Sequence, residues 1–439
     1  MRIFPMKTVV VVLMLSLVCC GEVFANTNMV ASVLTLTDAR AIALRNHPRV
    51  AAANYRALAA QEVLKETRAG YYPNATLYGD AVGASSEDAR ILVGGLNNPT
   101  VFSRLAGGIG ASQLITDFGH TANLVASSKY QSLAEAQNAN TTREQVLLAV
   151  DVNYLGSLQA QAVLQVALQT METRELLREQ ISTLASNQLK SVLDVSFANV
   201  AVQESKLLVE KAQNDADAAM ASLSTALGYD SPRLFKLSET ALFTAPSASA
   251  TDDSQLVQTA LAQRPELLSL RNESAGSLKF AKSQRDARLP TLSAFGAAGS
   301  SPVHDSHLPN DYAVGGLEIS FPLFAGGLYV ARQHEAELRA QAEAELLRNL
   351  ENEIVRDVHI AWLNVNNARE EIETTRELAQ NAGQAYELAE ARYKIGSSSI
   401  VELSQAQLSL TSAQISDTNA RYNLLIQQAN LNYQIGALR

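Results

Sequence analysis

After Pro5, prolines in this chain fall at positions 48, 73 and 99, then at 232, 246, 265, 290, 302, 309 and 322. None occurs from Thr100 to Ser231, or from Leu323 to Arg439. Proline breaks a helix interior because it lacks an N–H and clashes with the preceding turn. Two such spans, rich in Ala, Leu, Gln and Glu, therefore predict very long helices. The first is expected from Gly119 to about Asn187, the second from Gly327 to Lys394. Nearly seventy residues at 1.5 Å each make a helix about 100 Å long. Returning helices are expected from Ser191 to Leu227 and from Ser399 to Gln434. The turn between the second pair, Ile395-Gly396-Ser397-Ser398-Ser399, reads as the tip of a helical hairpin.

The chain also repeats itself. Pro48, Val63, Lys65, Arg68 and Pro73 match Pro265, Phe280, Lys282, Arg285 and Pro290 at a spacing of 217. Gly119, Tyr154, Asp194, Ala198, Leu207 and Gly228 match Gly327, Trp362, Glu402, Ala406, Ile415 and Gly436 at a spacing of 208. One variable loop between Pro73 and Gly119 accounts for the change. The expected organisation is a first repeat over 26–227, a linker or equatorial segment over 228–255 and a second repeat over 256–439. Each repeat opens with a short helix, the first near Thr37-Asp38 with Thr37 as its N-cap. A second short helix begins at Pro48, a good first-turn residue, and runs to Ala69.

Between the short and long helices lie alternating stretches: Asn74–Gly83 and Arg104–Ile115, then Thr291–Ala298 and Ala313–Leu323. In the last, Leu317, Ile319, Phe321 and Leu323 share one face, with Glu318 and Ser320 on the other. Strands of about ten residues with this pattern suit a membrane β-barrel or a soluble hairpin. The intervening stretch, with Ser85-Ser86-Glu87-Asp88 and Asn97-Asn98-Pro99, reads as a loop. Along the long helices residues recur every seven positions: Val358, Val365, Ile372, Ala379, Tyr386 and Tyr393, and in the first repeat Val150, Ser157, Leu164, Met171, Arg178 and Ala185. Heptads interrupted by small and polar residues predict helices packed side by side in a wide tube rather than a two-stranded rod.

Residues 1–25 read as a signal peptide. Arg2 and Lys7 form its charged start, Thr8 to Val18 its apolar run and Val23-Phe24-Ala25 its cleavage site. Processing as a lipoprotein at Cys20 is the alternative. Cys19 and Cys20 are the only cysteines, so the mature chain has neither a disulfide nor a thiolate metal site. No later apolar run reaches the length of a membrane-spanning helix. The net charge of −9 argues against nucleic-acid binding. No phosphate-binding glycine loop and no nucleophile–base set is present, so catalytic residues, an enzyme activity and a cofactor are not expected. His304-Asp305-Ser306-His307 reads as polar loop filler rather than a metal site.

The duplicated helix–strand–strand–helix plan resembles the TolC family of outer-membrane channels. So do Phe321-Pro322-Leu323-Phe324-Ala325-Gly326-Gly327 and Ala391-Arg392-Tyr393-x-x-Gly396 with Glu402-Leu403 and Ala406-Gln407. The resemblance runs from about Leu34 to Ala437. It implies an α+β membrane protein and a homotrimer. Four strands per subunit would close a twelve-stranded barrel in outer-membrane lipid, continued by a periplasmic coiled-coil barrel of helices. It also implies a periplasmic adaptor and an inner-membrane pump, of proton-driven or ABC type, as partners. Acidic side chains at the pore entrance are implied at Glu402, with Gln405 standing where a second acid would sit. Tyr393 and Asp194 match a tyrosine and an aspartate of the family's gate, while Ser398 stands at the position of its arginine. This implies a more weakly latched gate, one that Ser398→Arg would tighten. Adaptor contacts are implied at Ile395, Gly396 and Ser397 and at Asn187, Gln188 and Leu189. The first tip lacks the glycine, so its turn is expected to differ. The other reading of such helices is a secreted coiled-coil filament, which would have no use for lipid-facing strands.

Overall fold

A computed structural model describes residues 33–83, 89–93, 96–101, 103–239, 253–303 and 309–438. The expected signal segment with its two cysteines, and the His304–His307 stretch, lie outside the described residues. In chain order the elements are β1 (Val33–Leu34), α1 (Leu36–Asn46), α2 (Pro48–Ala69), β2 (Asn74–Val82), β3 (Ala89–Val93), β4 (Leu96–Val101), β5 (Arg104–Thr116), α3 (His120–Ser186) and α4 (Val192–Ala226). Then follow β6 (Lys236–Leu237), α5 (Asp253–Gln263), α6 (Pro265–Asp286), β7 (Thr291–Val303), β8 (Asp311–Ser320), α7 (Leu328–Lys394) and α8 (Ile400–Gln434).

The helices come in pairs of equal length. α1 and α5 have 11 residues, α2 and α6 have 22, α3 and α7 have 67, and α4 and α8 have 35. The left-handed backbone positions pair too. Phe118, Gly119, Gln188 and Gly228 stand 208 residues before Gly326, Gly327, Gly396 and Gly436, and among the described residues no other has positive φ. At each point the chain needs the same reversal, whether or not glycine supplies it.

Small side chains let the helices approach. Ser157 Oγ on α3 donates to Ala219 O on α4 at 3.1 Å, and Ser269 Oγ on α6 donates to Ala134 O on α3 at 3.0 Å. α2 and α4 lie end to end along α3. Thr67 meets Ser128 in its first half, and Arg174 Nη1 donates to Ala201 O at 2.8 Å in its second. The other flank of α3 is covered by α6 and then α8, through Asn123–Asp286 near one end and Gln159–Asn419 beyond the middle. The core at mid-height joins Val146, Val150, Tyr154 and Leu158 to Met220, Leu223, Leu227 and Ala43. There the Tyr154 hydroxyl lies 2.8 Å from the carbonyls of both Leu34 and Ser238, pinning the parallel β1–β6 pair. Arg40 on α1 grips Asp151 on α3 with two hydrogen bonds, of 2.7 and 2.5 Å. Burial pushes the Asp151 carboxyl up, and Arg40 offsets this only in part.

Several expectations are revised. The N-cap of α1 is Thr35, whose Oγ1 accepts from Asp38 N, so Thr37 lies inside the helix. Part of the expected loop between β2 and β5 forms the antiparallel hairpin β3–β4. The expected linker contains β6 and the start of α5, with 240–252 outside the described residues. Strand β8 stops at Ser320, so Phe321 and Leu323 leave the sheet. Pro322 has no N–H to continue the ladder.

The four long strands form one antiparallel sheet in the order β2-β5-β7-β8. Its register separates two faces. Leu77, Ile109, Ala298 and Ala313 form a row on one face, which also carries Leu317 and Ile319. Asn74, Thr76, Asp80, Ser112, Ser293 and Glu318 lie on the other. On that polar face the row Tyr78–Gly108–Gly299–Tyr312 places two glycines between two tyrosines. A Cβ at Gly299 would stand 2.5 Å from Gly107 O and 2.6 Å from Tyr312 Oη. One at Gly79, on the apolar face, would come no nearer than 4.0 Å to Ala106 O. We therefore expect Gly299→Ala to destabilise the folded protein by about 1–3 kcal/mol through overpacking, and Gly79→Ala to leave it near wild type. Denaturant unfolding of the two purified variants checks this.

Candidate functional site at the hairpin tips

Both long hairpins turn in the same way. At the end of α7, Gly396 N donates to Tyr393 O at 3.1 Å and Ser397 N to Arg392 O at 2.9 Å, with Gly396 at φ +77°. At the end of α3, Gln188 N donates to Ala185 O and Leu189 N to Leu184 O, each at 2.9 Å, with Gln188 at φ 61°. These paired bonds are those of a Schellman cap. The first tip thus keeps the turn of the second despite lacking glycine, contrary to the expectation from sequence. Satisfying the last carbonyls of the helix outweighs the cost of a left-handed glutamine, about 1 kcal/mol.

The returning helices start differently. Ser191 Oγ accepts from Leu193 N at 3.1 Å, and the Asp194 carboxylate accepts from Ser191 N at 3.1 Å, so Asp194 caps its own helix. In the second hairpin Ser399 Oγ accepts from Glu402 N at 3.2 Å. Glu402 turns instead to Arg392, whose Nη1 donates to its Oε1 at 2.8 Å, while Nη2 donates to Ser397 O at 3.3 Å. Both partners are exposed, so the pair is well screened and contributes little stability, but it lowers the charge that Glu402 presents.

Between the tips lies a small core. Tyr393, only 4% exposed, packs with Ala389, Ile400 and Leu403 of its own hairpin and with Ile181 and Ala198 of the other. The Lys190 ammonium sits 3.9 Å from the centre of its ring. Burial, and secondarily the Asp194 carboxylate, push the Tyr393 phenol up. The structure thus brings Tyr393 and Asp194 into one neighbourhood without a hydrogen bond between them. Ser398 is half-buried and its Oγ donates to the Ser399 carbonyl at 3.4 Å; Gln405 is exposed a turn further on. Asn187, Gln188, Leu189, Ile395, Gly396 and Ser397 are all exposed at the extremity, with Leu189 68% and Ile395 80% exposed. Lys190 and Arg392 are the site residues that sequence reasoning missed. Lys190 stands 208 residues before Ser398, so comparing the two repeats at that position would have found it.

Among the described residues no cluster of His, Cys, Asp and Glu is placed to hold a metal, and no helix is long and apolar enough to cross a membrane. The geometry offers paired, charged, apolar-ended tips at one end of long helices and an amphipathic sheet at the other.

That arrangement is the fold of the outer-membrane channel proteins. The solved structure of VceC from Vibrio cholerae superposes on it with a TM-score of 0.78 at 17% identity, covering 91% of this chain and 96% of that one. The family model described as "Outer membrane efflux protein" matches residues 40–229 and 256–437, and the chain belongs to this family of the outer membrane. It is 26% identical over 166 residues to the outer membrane protein TolC of Salmonella enteritidis, a match over 35% of this chain and 33% of that protein. The match thus spans about a third of that relative's length. It is 25% identical over 406 residues to the probable efflux pump outer membrane protein TtgC of Pseudomonas putida, covering 88% of this chain and 79% of that protein.

The turn at Gln188 carries a prediction. Gln188→Gly removes the left-handed penalty and should stabilise the first tip by about 1 kcal/mol. It is read as slower hydrogen exchange of the amides around residues 184–194; unchanged or faster exchange would contradict it.

Proposed function

We propose that the protein is the outer-membrane exit duct of a tripartite efflux pump or type I secretion system, a passive channel that performs no chemistry. The sheet carries this reading. It has one apolar and one polar face, and among the described residues its outer strands β2 and β8 each leave an edge unpaired. In lipid such edges must be closed. Three copies, joining β8 of one to β2 of the next, close a twelve-stranded barrel with Leu77, Ile109, Leu317 and Ile319 toward lipid and the polar face toward the lumen.

The helices below support the same closure. α2 with α4 forms one open side of the chain and α7 the other. On α4, Leu193, Phe197, Val200 and Leu207 are exposed at coiled-coil spacing; on α7, Leu378 and Leu388 are exposed, as is Ile395 just beyond its end. Each side of one copy therefore finds its apolar partner on the next. The helical tube extends about 100 Å into the periplasm. Its exposed tips, at Asn187–Leu189 and Ile395–Ser397, then meet a periplasmic adaptor bound to an inner-membrane pump. The names of the relatives from Pseudomonas putida, an antibiotic efflux pump protein and a toluene efflux pump protein, favour small-molecule cargo over secreted proteins. A secreted filament is the poorer reading because it leaves the apolar sheet face unexplained.

Purified from outer membranes in detergent, the protein is expected to run as a discrete, heat-modifiable trimer. Added to one side of a planar lipid bilayer, it should give stepwise conductance. Recovery as a soluble fibre without conductance would overturn the reading.

A further inference from the structure

The two long strand hairpins obey one rule of equivalence. Moving β2 on by 217 residues and β5 by 208, the two spacings at which the chain repeats, lands on β7 and β8. The side chains agree there. Tyr78, Gly79 and Ala81 fall on Phe295, Gly296 and Ala298, and Gly107, Gly108 and Ile109 fall on Gly315, Gly316 and Leu317. The register agrees as well. All nine β2–β5 pairs, from Asn74–Ser112 to Val82–Arg104, become β7–β8 pairs, from Thr291–Ser320 to Gly299–Tyr312. The equivalence therefore holds residue by residue through the sheet.

A third pairing joins the two hairpins. β5 meets β7 with Ile109 opposite Ala298, Gly110 opposite Ala297 and Ala111 opposite Gly296. Under the same equivalence its counterpart is β8 against β2. One chain cannot form that pair, because these are the two outer strands of its sheet. A second copy can, and the equivalence then states which residues meet.

We propose that the junction between neighbouring copies repeats the register of β5–β7, with Leu317 opposite Ala81 of the next copy, Glu318 opposite its Asp80 and Ile319 opposite its Gly79. This rests on the channel reading above and fixes the stagger between copies, which that reading leaves open. The faces agree. Leu317, Ile319, Gly79 and Ala81 belong to the apolar face, and Glu318 and Asp80 to the polar one, where water in the lumen screens the two charges. A slip of one residue would turn the apolar face of each copy to the polar side of the next. The sizes agree too. Leu317 and Ile319 stand beside an alanine and a glycine, as Ile109 stands beside Ala298. Carried down to the helices, the Gln159–Asn419 contact of α3 with α8 becomes Asn367 of α7 beside Lys211 on α4 of the next copy, again a polar pair.

Cysteine pairs in the full-length protein test the register. They are oxidised with copper phenanthroline in outer membranes and read on a denaturing gel without reductant. Directly opposed Cα atoms of antiparallel strands stand about 4.5–5.5 Å apart, within reach of a disulfide, whereas diagonal neighbours are too far apart to be bridged. Leu317→Cys/Ala81→Cys and Ile319→Cys/Gly79→Cys should each shift the monomer band to a covalent trimer that reductant dissolves, with no shift in the single variants. Leu317→Cys/Gly79→Cys and Ile319→Cys/Ala81→Cys report slips of two residues in either direction and should stay monomeric on the gel. Linkage in a slipped pair in place of the opposed pairs, or a trimer that no pair links, overturns the register and leaves the barrel standing. A protein that is monomeric by size in detergent and links in no pair sinks the trimeric channel and the register together.

Discussion

A strand at the edge of a sheet carries a row of N–H and C=O groups that need partners, and in hydrocarbon no water supplies them. Strands β2 and β8 each have such an edge. The remainder of the architecture follows from how it is met. Four strands are too few to close on themselves, so closure requires further copies of the same sheet. Once the strands close, the helices that continue them must close as well, because α3 and α7 leave the sheet within a few residues of β5 and β8. The double left-handed steps at Phe118-Gly119 and Gly326-Gly327 turn each chain from strand to helix in the least length. In the proposed trimer, a barrel set by backbone hydrogen bonds thereby dictates the diameter of a helical tube that is held by side chains.

The tube explains the unusual composition. Helices packed on both flanks cannot all bury leucine, because a broad tube leaves each helix with two narrow seams rather than one wide face. α3 buries Ser127, Ser128, Ser132, Ala134, Ser157, Ala167 and Thr170 alongside its valines and leucines. Ser157 satisfies its hydroxyl on the carbonyls of Asn153 and Ala219, and Ser128 meets the Thr67 hydroxyl, whereas Ser127 Oγ is buried without a partner among the described residues. The equal helix lengths in the two halves follow from the same geometry. Helices that flank one another in a tube must end at common heights.

Much of this was legible in the sequence because it rests on local rules. Proline-free spans and flanking glycines located α3 and α7 to within a residue at each end. Pro48 and Pro265 marked the first turns of α2 and α6. What was not legible depended on contacts distant in sequence. β1 and β6 are two-residue strands, too short to show alternation, and they exist because Tyr154 holds both. The hairpin β3–β4 lies in a stretch whose Asn-Asn-Pro reads as loop. Thr37 and Thr35 are equally good caps by composition, and only the backbone decides between them. Of the site, the turn and its acids were visible. Lys190 shows only when the two repeats are set against each other, where it stands opposite Ser398, and its role needs the ring it covers.

Asp194 and Glu402 show how far equivalence in sequence can mislead. Both are the first acid of a returning helix, 208 residues apart, and both lie where the helix dipole favours negative charge. The shorter side chain bends back to Ser191 N and completes a capping box. The longer one reaches Arg392 on the preceding helix, a position that is Leu184 in the first hairpin and so offers no such partner. One methylene and one neighbouring residue thus divide the two acids between shaping a turn and balancing a charge. Neither carboxylate stands free, and Gln405 adds no third. In the channel proposed above, the entrance is therefore governed less by a ring of negative charge than by how firmly the tips are packed, and that packing centres on Tyr393.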